Sequence, residues 1–177
     1  MRNSPQLETP AVMFWLKRAV RNPSRHGLEL KVPPAALALI AAVLMWSAYA
    51  AVPVFDLTFL RNEVCSAVLA LIGALTCLAG VVSFRRAKTT VNPMSPESTS
   101  ALVVSGIYSY TRNPMYLGFL FMLLGWAVFL SNVLSLVLLP GFVLYMNRFQ
   151  ILPEECVLAL RFGDDYAEYC GRVRPWL

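Results

Sequence analysis

The chain has 177 residues, of which 58% are hydrophobic and 14% charged, with a formal net charge of +5. Average soluble domains carry about 45–50% apolar and about 25% charged residues, so this composition excludes a disordered chain, a collagen-like fibre and a small disulfide-stapled secreted domain. The apolar excess is concentrated in runs, which predicts an all-α integral membrane protein built as one domain.

Taken in chain order, the first element is polar. Thr9-Pro10 has the pattern of a helix N-cap followed by a first-turn proline. Residues 11–20 set Phe14, Trp15 and Leu16 beside Lys17 and Arg18, which predicts an interfacial helix within an N-terminal segment spanning 1–33. A disordered basic tail is the other reading of this stretch. Residues 34–54 and 64–84 contain no Asp, Glu, Lys or Arg. A bilayer core of about 30 Å needs about 20 apolar helical residues, and both runs fit. The first begins too far from Met1 to resemble a cleaved signal peptide. Gly73 and Gly80 in the second allow close contact with another helix, most simply within the chain. Residues 88–100, rich in Thr, Pro and Ser, read as a loop. A third run, 114–130, and a fourth, 133–146, are separated only by Ser131-Asn132 and read as a tight helical hairpin. The fourth is short and carries Pro140-Gly141, which predicts a tilt, a kink or an early stop. Pro153 then predicts the start of a new helix, ending at Gly163, with a further short helix from Asp164. Trp176-Leu177 predicts a tail packed on the protein or leaflet.

The basic residues sort by side. Arg61 alone falls in the loop between the first two runs; the other Lys and Arg residues precede the first run, lie between the second and third, or follow the fourth. With four spans, the positive-inside rule puts both termini and the middle loop in the cytoplasm. The same sorting explains the positive charge without a nucleic-acid partner.

Other residue types narrow the chemistry. The one histidine, His26, excludes a bis-histidine haem and a histidine-rich metal centre. Cys65, Cys77, Cys156 and Cys170 form no Cys-x-x-Cys pair, so a thiol oxidoreductase of that type and a metal site are not expected. Four spans without an ionisable group argue against a proton-coupled exporter. No dinucleotide fingerprint or P-loop is present.

Polar residues gather instead at the cytoplasmic ends of the last two runs. The stretch GIYSYTRNPMYLG covers residues 106–118. Asn113-Pro114 reads as a helix start in which Asn113 caps the helix. The positive dipole end there, with Arg112 beside it, suits a carboxylate or phosphate. Tyr116 can stack or donate, and Gly118 permits close approach of a ligand or another helix. Across the sequence lie Glu154 and Glu155, which complement a helix dipole or hold donors. Anion-binding donors and a carboxylate pair at one face fit a ligand bearing both signs of charge, S-adenosylmethionine among others.

These motifs, followed by FGDDYAEYCGRVR at 162–174, resemble the isoprenylcysteine carboxyl methyltransferase family and the related membrane phospholipid and thiol methyltransferases. The family pattern Arg-His-Pro-x-Tyr-x-Gly, then a hydrophobic hairpin, then Glu-Glu, is matched by Arg112, Asn113, Pro114, Tyr116, Gly118, Glu154 and Glu155. Asn113 replaces the common histidine; it can make a hydrogen bond but cannot carry a titrating proton. The resemblance implies a short bacterial-type member of the inner membrane. In residues 34–177 it implies a single methyltransferase-like domain, whose S-adenosylmethionine site is formed by 88–118 and 148–177. It implies cofactor contacts from Val104, Gly106, Tyr108, Arg112, Asn113, Tyr116, Gly118, Glu154 and Glu155, and a lipophilic or lipid-modified methyl acceptor entering from the bilayer. Arg112 would orient the acceptor's carboxylate or the cofactor's own, and Glu155 is the candidate base if an amine or thiol must lose a proton. An NADPH-dependent sterol or isoprenoid reductase and a non-catalytic membrane scaffold are the alternatives.

Overall fold

The computed structural model describes residues 32–52, 61–87 and 102–177. The expected interfacial helix at 11–20 and the loop at 88–100 lie outside them. Among the described residues every long element is helical.

Helix α1, Pro34–Ala51, opens on a first-turn proline whose missing N–H costs no bond. It stops three residues before the expected end. Val52 precedes Pro53, whose ring disfavours helical backbone on the residue before it, and Val52 takes φ −133°. Helix α2, Glu63–Arg86, is capped by Asn62, whose side chain accepts from the Cys65 N–H at 2.9 Å. Glu63 in its first turn and Arg85 and Arg86 in its last match the helix dipole. Helix α3 is Pro114–Leu130. It ends at Ser131, in the left-handed region at φ 49°, and Asn132 caps helix α4, Val133–Met146, by accepting from the Leu134 N–H at 3.0 Å. The two-residue hairpin is as the sequence indicates.

One expectation is corrected. Pro153 does not open a separate helix. Helix α4 runs through Pro140, passes a wide turn of π type at Asn147–Ile151, and continues as α5, Leu152–Phe162. Proline within an α-helix loses an N–H bond and clashes with the carbonyl four residues earlier; the wider turn just ahead of Pro153 relieves both. Gly163, at φ 55°, then breaks the chain into α6, Asp164–Arg172.

Three helices are long and apolar enough to cross a membrane: Pro34–Ala51, Glu63–Arg86 and the continuous Val133–Phe162; α3 is a shorter apolar helix. Helix α3 is the centre of the bundle, contacting α2 on one side and α1 and α4 on the other. The seam with α2 is built on missing side chains. A Cβ on Gly118 would lie 2.6 Å from the Gly73 carbonyl oxygen, and one on Gly125 2.7 Å from the Ser66 carbonyl oxygen. Helices in lipid gain no hydrophobic free energy by meeting each other, so close packing of small residues has to hold such a seam. On the other side, the Trp126 indole donates to the Ala42 carbonyl at 3.1 Å and the Ser135 hydroxyl to the Met45 carbonyl at 3.1 Å. Elsewhere α1 and α2 expose Leu39, Val43, Leu44, Val64, Leu71 and Leu75, the surface expected of helices bathed in hydrocarbon.

At one end of the bundle, the Arg61 guanidinium donates to the Phe129 carbonyl and the Asn132 amide to the Val52 carbonyl. These contacts tie the loop ends together. The polar motifs meet at the opposite end.

Candidate functional site

The segment 105–113 leads into the start of α3 and lies against the last turn of α2, at Ser83 and Phe84. Gly106 turns it with φ 65°, a left-handed conformation that a side chain would strain. Tyr108 is then buried with its ring edge-on to Phe84, centroids 5.2 Å apart. Its carbonyl accepts from the Tyr169 hydroxyl of α6 at 2.7 Å. Burial, helped by the nearby Glu154 carboxylate and by Tyr169, raises the Tyr108 phenol above its usual pKa.

Residues 111–113 grip the segment that follows α6. The Arg112 N–H donates to the Arg174 carbonyl at 3.0 Å. The Thr111 hydroxyl and the Asn113 amide both donate to the Pro175 carbonyl, at 3.1 and 2.9 Å. The Arg112 guanidinium donates to the carbonyls of Val173, at 2.6 Å, and Cys170, at 3.3 Å. On its other edge it meets Glu155 through Nε at 3.0 Å and through its second terminal nitrogen, both on Oε1. This is a buried ion pair, with the side chains 9% and 6% exposed. Burial alone would lower the Arg112 pKa; the adjoining Glu155 charge and hydrogen bond reverse that, and the net direction is up. Asn113 occupies the N-cap position but does not cap α3 with its side chain. Its amide is turned to Pro175 instead, which corrects the capping expectation.

One turn into α3, the Tyr116 hydroxyl donates to Glu154 Oε2 at 2.9 Å. Tyr116 is buried and Glu154 half-buried. The two glutamates therefore diverge: Glu154 faces the start of α3, and Glu155 faces Arg112. Gly118 takes no part in this cluster. The space its side chain would fill is taken by Cys77 and the Gly73 backbone of α2, so of the two partners the sequence allows it meets a helix. Val104 is 40% exposed at the edge.

The tail is packed, as the sequence indicates. The Trp176 indole donates to the Asn147 side chain at 2.8 Å, and its ring lies against the core around Tyr116, Met146 and Ile151. Tyr166, Tyr169 and Val173 form a second small core with Ala159. Sequence reasoning missed Thr111, Asn147 and the acceptor carbonyls of 170–175, since backbone carbonyls leave no mark in a sequence.

Chemically, the cluster offers a phenol, a neutralised ion pair and the Glu154 carboxyl, which burial pushes up to about 7 against the opposing Tyr116 hydrogen bond and whose Oε1 accepts no bond among the described residues. Burial pushes the Cys170 thiol up, so it is no thiolate nucleophile near neutrality. Among the described residues no group of His, Cys, Asp and Glu side chains could hold a metal ion.

The family model described as phospholipid methyltransferase matches residues 62–165. An uncharacterized protein of Haemophilus influenzae is 44% identical over 63 residues, which cover 36% of this chain and all of that protein. The probable protein-S-isoprenylcysteine O-methyltransferase of Oryza sativa subsp. indica is 35% identical over 62% of this chain and 58% of its own length. The protein-S-isoprenylcysteine O-methyltransferase of Schizosaccharomyces pombe is 40% identical over 41% of this chain and 30% of its own. The chain thus spans less than two thirds of the length of each of these two named relatives. No solved structure matches it.

Proposed function

Since the chain belongs to the phospholipid methyltransferase family, we propose that it transfers a methyl group from S-adenosylmethionine to a lipophilic acceptor at the cytoplasmic face of a bacterial inner membrane. Four passes by α1 to α4, with both termini cytoplasmic, agree with the basic residues flanking all but the Arg61 loop. The observation that carries the reading is the convergence of Tyr116, Glu154, Arg112 and Glu155, from separated motifs, at one end of the bundle.

The residues present fit the methyl donor. It carries an ammonium and ribose hydroxyls, all donors, and Glu154 has a carboxyl oxygen that no described residue bonds, beside a buried phenol. Glu154 and Tyr116 would hold it, with Tyr108 and Gly106 alongside. When bound, it supplies an electrophilic methyl group on a sulfonium. The chain's work is to hold donor and acceptor in line and to keep water out. A carboxylate acceptor is already ionised near neutrality and requires no base. That suits a site in which Glu155 Oε1 is taken up by Arg112, and it agrees with the O-methyltransferase names of the relatives. Acceptors of the isoprenylcysteine type are accordingly the first to screen.

Calorimetric titration of the detergent-purified chain with S-adenosylhomocysteine tests the proposal. Saturable binding is expected. Glu154→Gln, which keeps the size but removes the ionisable group that a bound ammonium would hold in its charged form, should weaken it by about tenfold or more, since hydrogen bonds to charged groups contribute about 1.5–3 kcal/mol. A folded protein that does not bind overturns the reading.

A further inference from the structure

The residues that look most like ligand contacts are already bound, and bound to the chain itself. Of the five N–H groups of a guanidinium, Arg112 spends two on Glu155 and two on the carbonyls of Cys170 and Val173. The Asn113 amide and the Thr111 hydroxyl are spent on Pro175. A methyl donor could use these groups only by breaking contacts that hold the 170–175 segment in place. Glu154 differs: it accepts from Tyr116 through one oxygen, and among the described residues nothing bonds the other.

We infer that Arg112 and Asn113 are positioning residues: they dock the 170–175 segment and fix Glu155, and the methyl donor is met by Glu154, which Tyr116 holds through its other oxygen. This rests on the methyltransferase reading above. The acceptors on the segment are main-chain carbonyls, which present the same chemistry whatever the side chains. The docking therefore demands donors on 111–113 and little from the segment except its path. That path is anchored a second time, at Trp176, by Asn147 on the π-type turn. Asn147 lies about two helical turns before Glu154, so it can influence the donor site only through the docked segment and the turn. An asparagine serves at 113 because the task there is to donate one hydrogen bond, which requires no titrating proton.

The test couples the two anchors. Arg112→Lys keeps the charge but loses the planar fork that reaches Glu155 and two carbonyls together. Asn147→Ala releases Trp176. The 177-residue chain is labelled with 5-fluorotryptophan, and the Trp176 resonance is assigned with Trp176→Phe. Positioning predicts that each variant shifts the Trp176 resonance and weakens S-adenosylhomocysteine binding by about tenfold, and that the double variant is no weaker than the worse single one. Multiplying effects in the double variant, or weaker binding in Arg112→Lys with Trp176 unmoved, would make Arg112 a direct contact and overturn the inference. Unchanged binding in either single variant overturns it too. If Arg112→Lys fails to fold, Asn113→Asp replaces it, setting a carboxylate against the Pro175 carbonyl. Asn113→His, which retains a donor, should then restore wild-type binding. Absence of binding by the folded wild-type protein is a different result, since it removes the methyl-donor reading itself.

Discussion

Glu155→Ala lowers the stability of the purified protein by about 3 kcal/mol, at the low end of the 3–5 kcal/mol typical when a buried ion pair loses one partner. Both side chains are almost fully enclosed, so the guanidinium left behind cannot recover its lost carboxylate from water. The low end applies because the Val173 and Cys170 carbonyls remain bonded to it. For a chain of this length the loss corresponds to a melting temperature lower by about 10 °C, read by thermal unfolding in detergent. Glu155→Gln keeps an acceptor oxygen at the same place and should lose about half as much. If the alanine variant melts within a degree of wild type, water reaches the pair and its burial is not what orders the site.

Gly118→Leu destabilises by about 3 kcal/mol, the upper end of the range for overpacking a tight interior. The first added carbon already collides with Cys77 and with the Gly73 carbonyl oxygen, at 2.6 Å. Backbone cannot swing aside as a flexible side chain would, so α2 and α3 must separate along their seam. The gain in helix propensity over glycine, about 1 kcal/mol, offsets part of the cost. The start of α3 carries Arg112, Asn113 and Tyr116, so the displacement should also abolish S-adenosylhomocysteine binding, as calorimetry would record. Gly141 is the matched control: nothing lies within 4 Å of a Cβ there, and Gly141→Ala should be neutral or slightly stabilising. Equal melting of the Gly118 and Gly141 variants would mean the seam is looser than the structure has it.

Much of this architecture is legible in the residues. Length and apolarity mark the spans, because a helix in hydrocarbon must be about 20 residues long and satisfy its own backbone. Pro114 marks a helix start, and Ser131-Asn132 the hairpin, because first-turn prolines and tight turns act through local chemistry. Pairwise choices were not legible. Gly118 suits a ligand or a helix equally until its neighbour is known. Pro153 signals a helix start only if the preceding turn has ordinary α geometry, and here it does not. Asn113 has the composition of a cap, but a stronger claim on its amide comes from Pro175, distant in sequence. Of the site, the convergence of Arg112, Tyr116, Glu154 and Glu155 follows from the motifs; which glutamate takes which partner is decided by the rotation of α5.

That rotation has a source in the wide turn at Asn147–Ile151. An α-helix advances about 100° per residue, and a π-type turn accommodates one residue more than an α turn. The turn is therefore a phase offset between the half of the helix that packs in the bundle and the half that carries Glu154 and Glu155. Gln150, fully buried within it and donating to the Val32 carbonyl at 2.9 Å, locks the offset to the start of α1. Upstream, α4 can keep whatever register the bundle needs. Downstream, the same chain presents its two carboxylates at an angle the bundle alone would not have chosen. Insertions and deletions here thus differ in kind from those in a loop: one residue gained or lost leaves the helix continuous yet aims both carboxylates elsewhere.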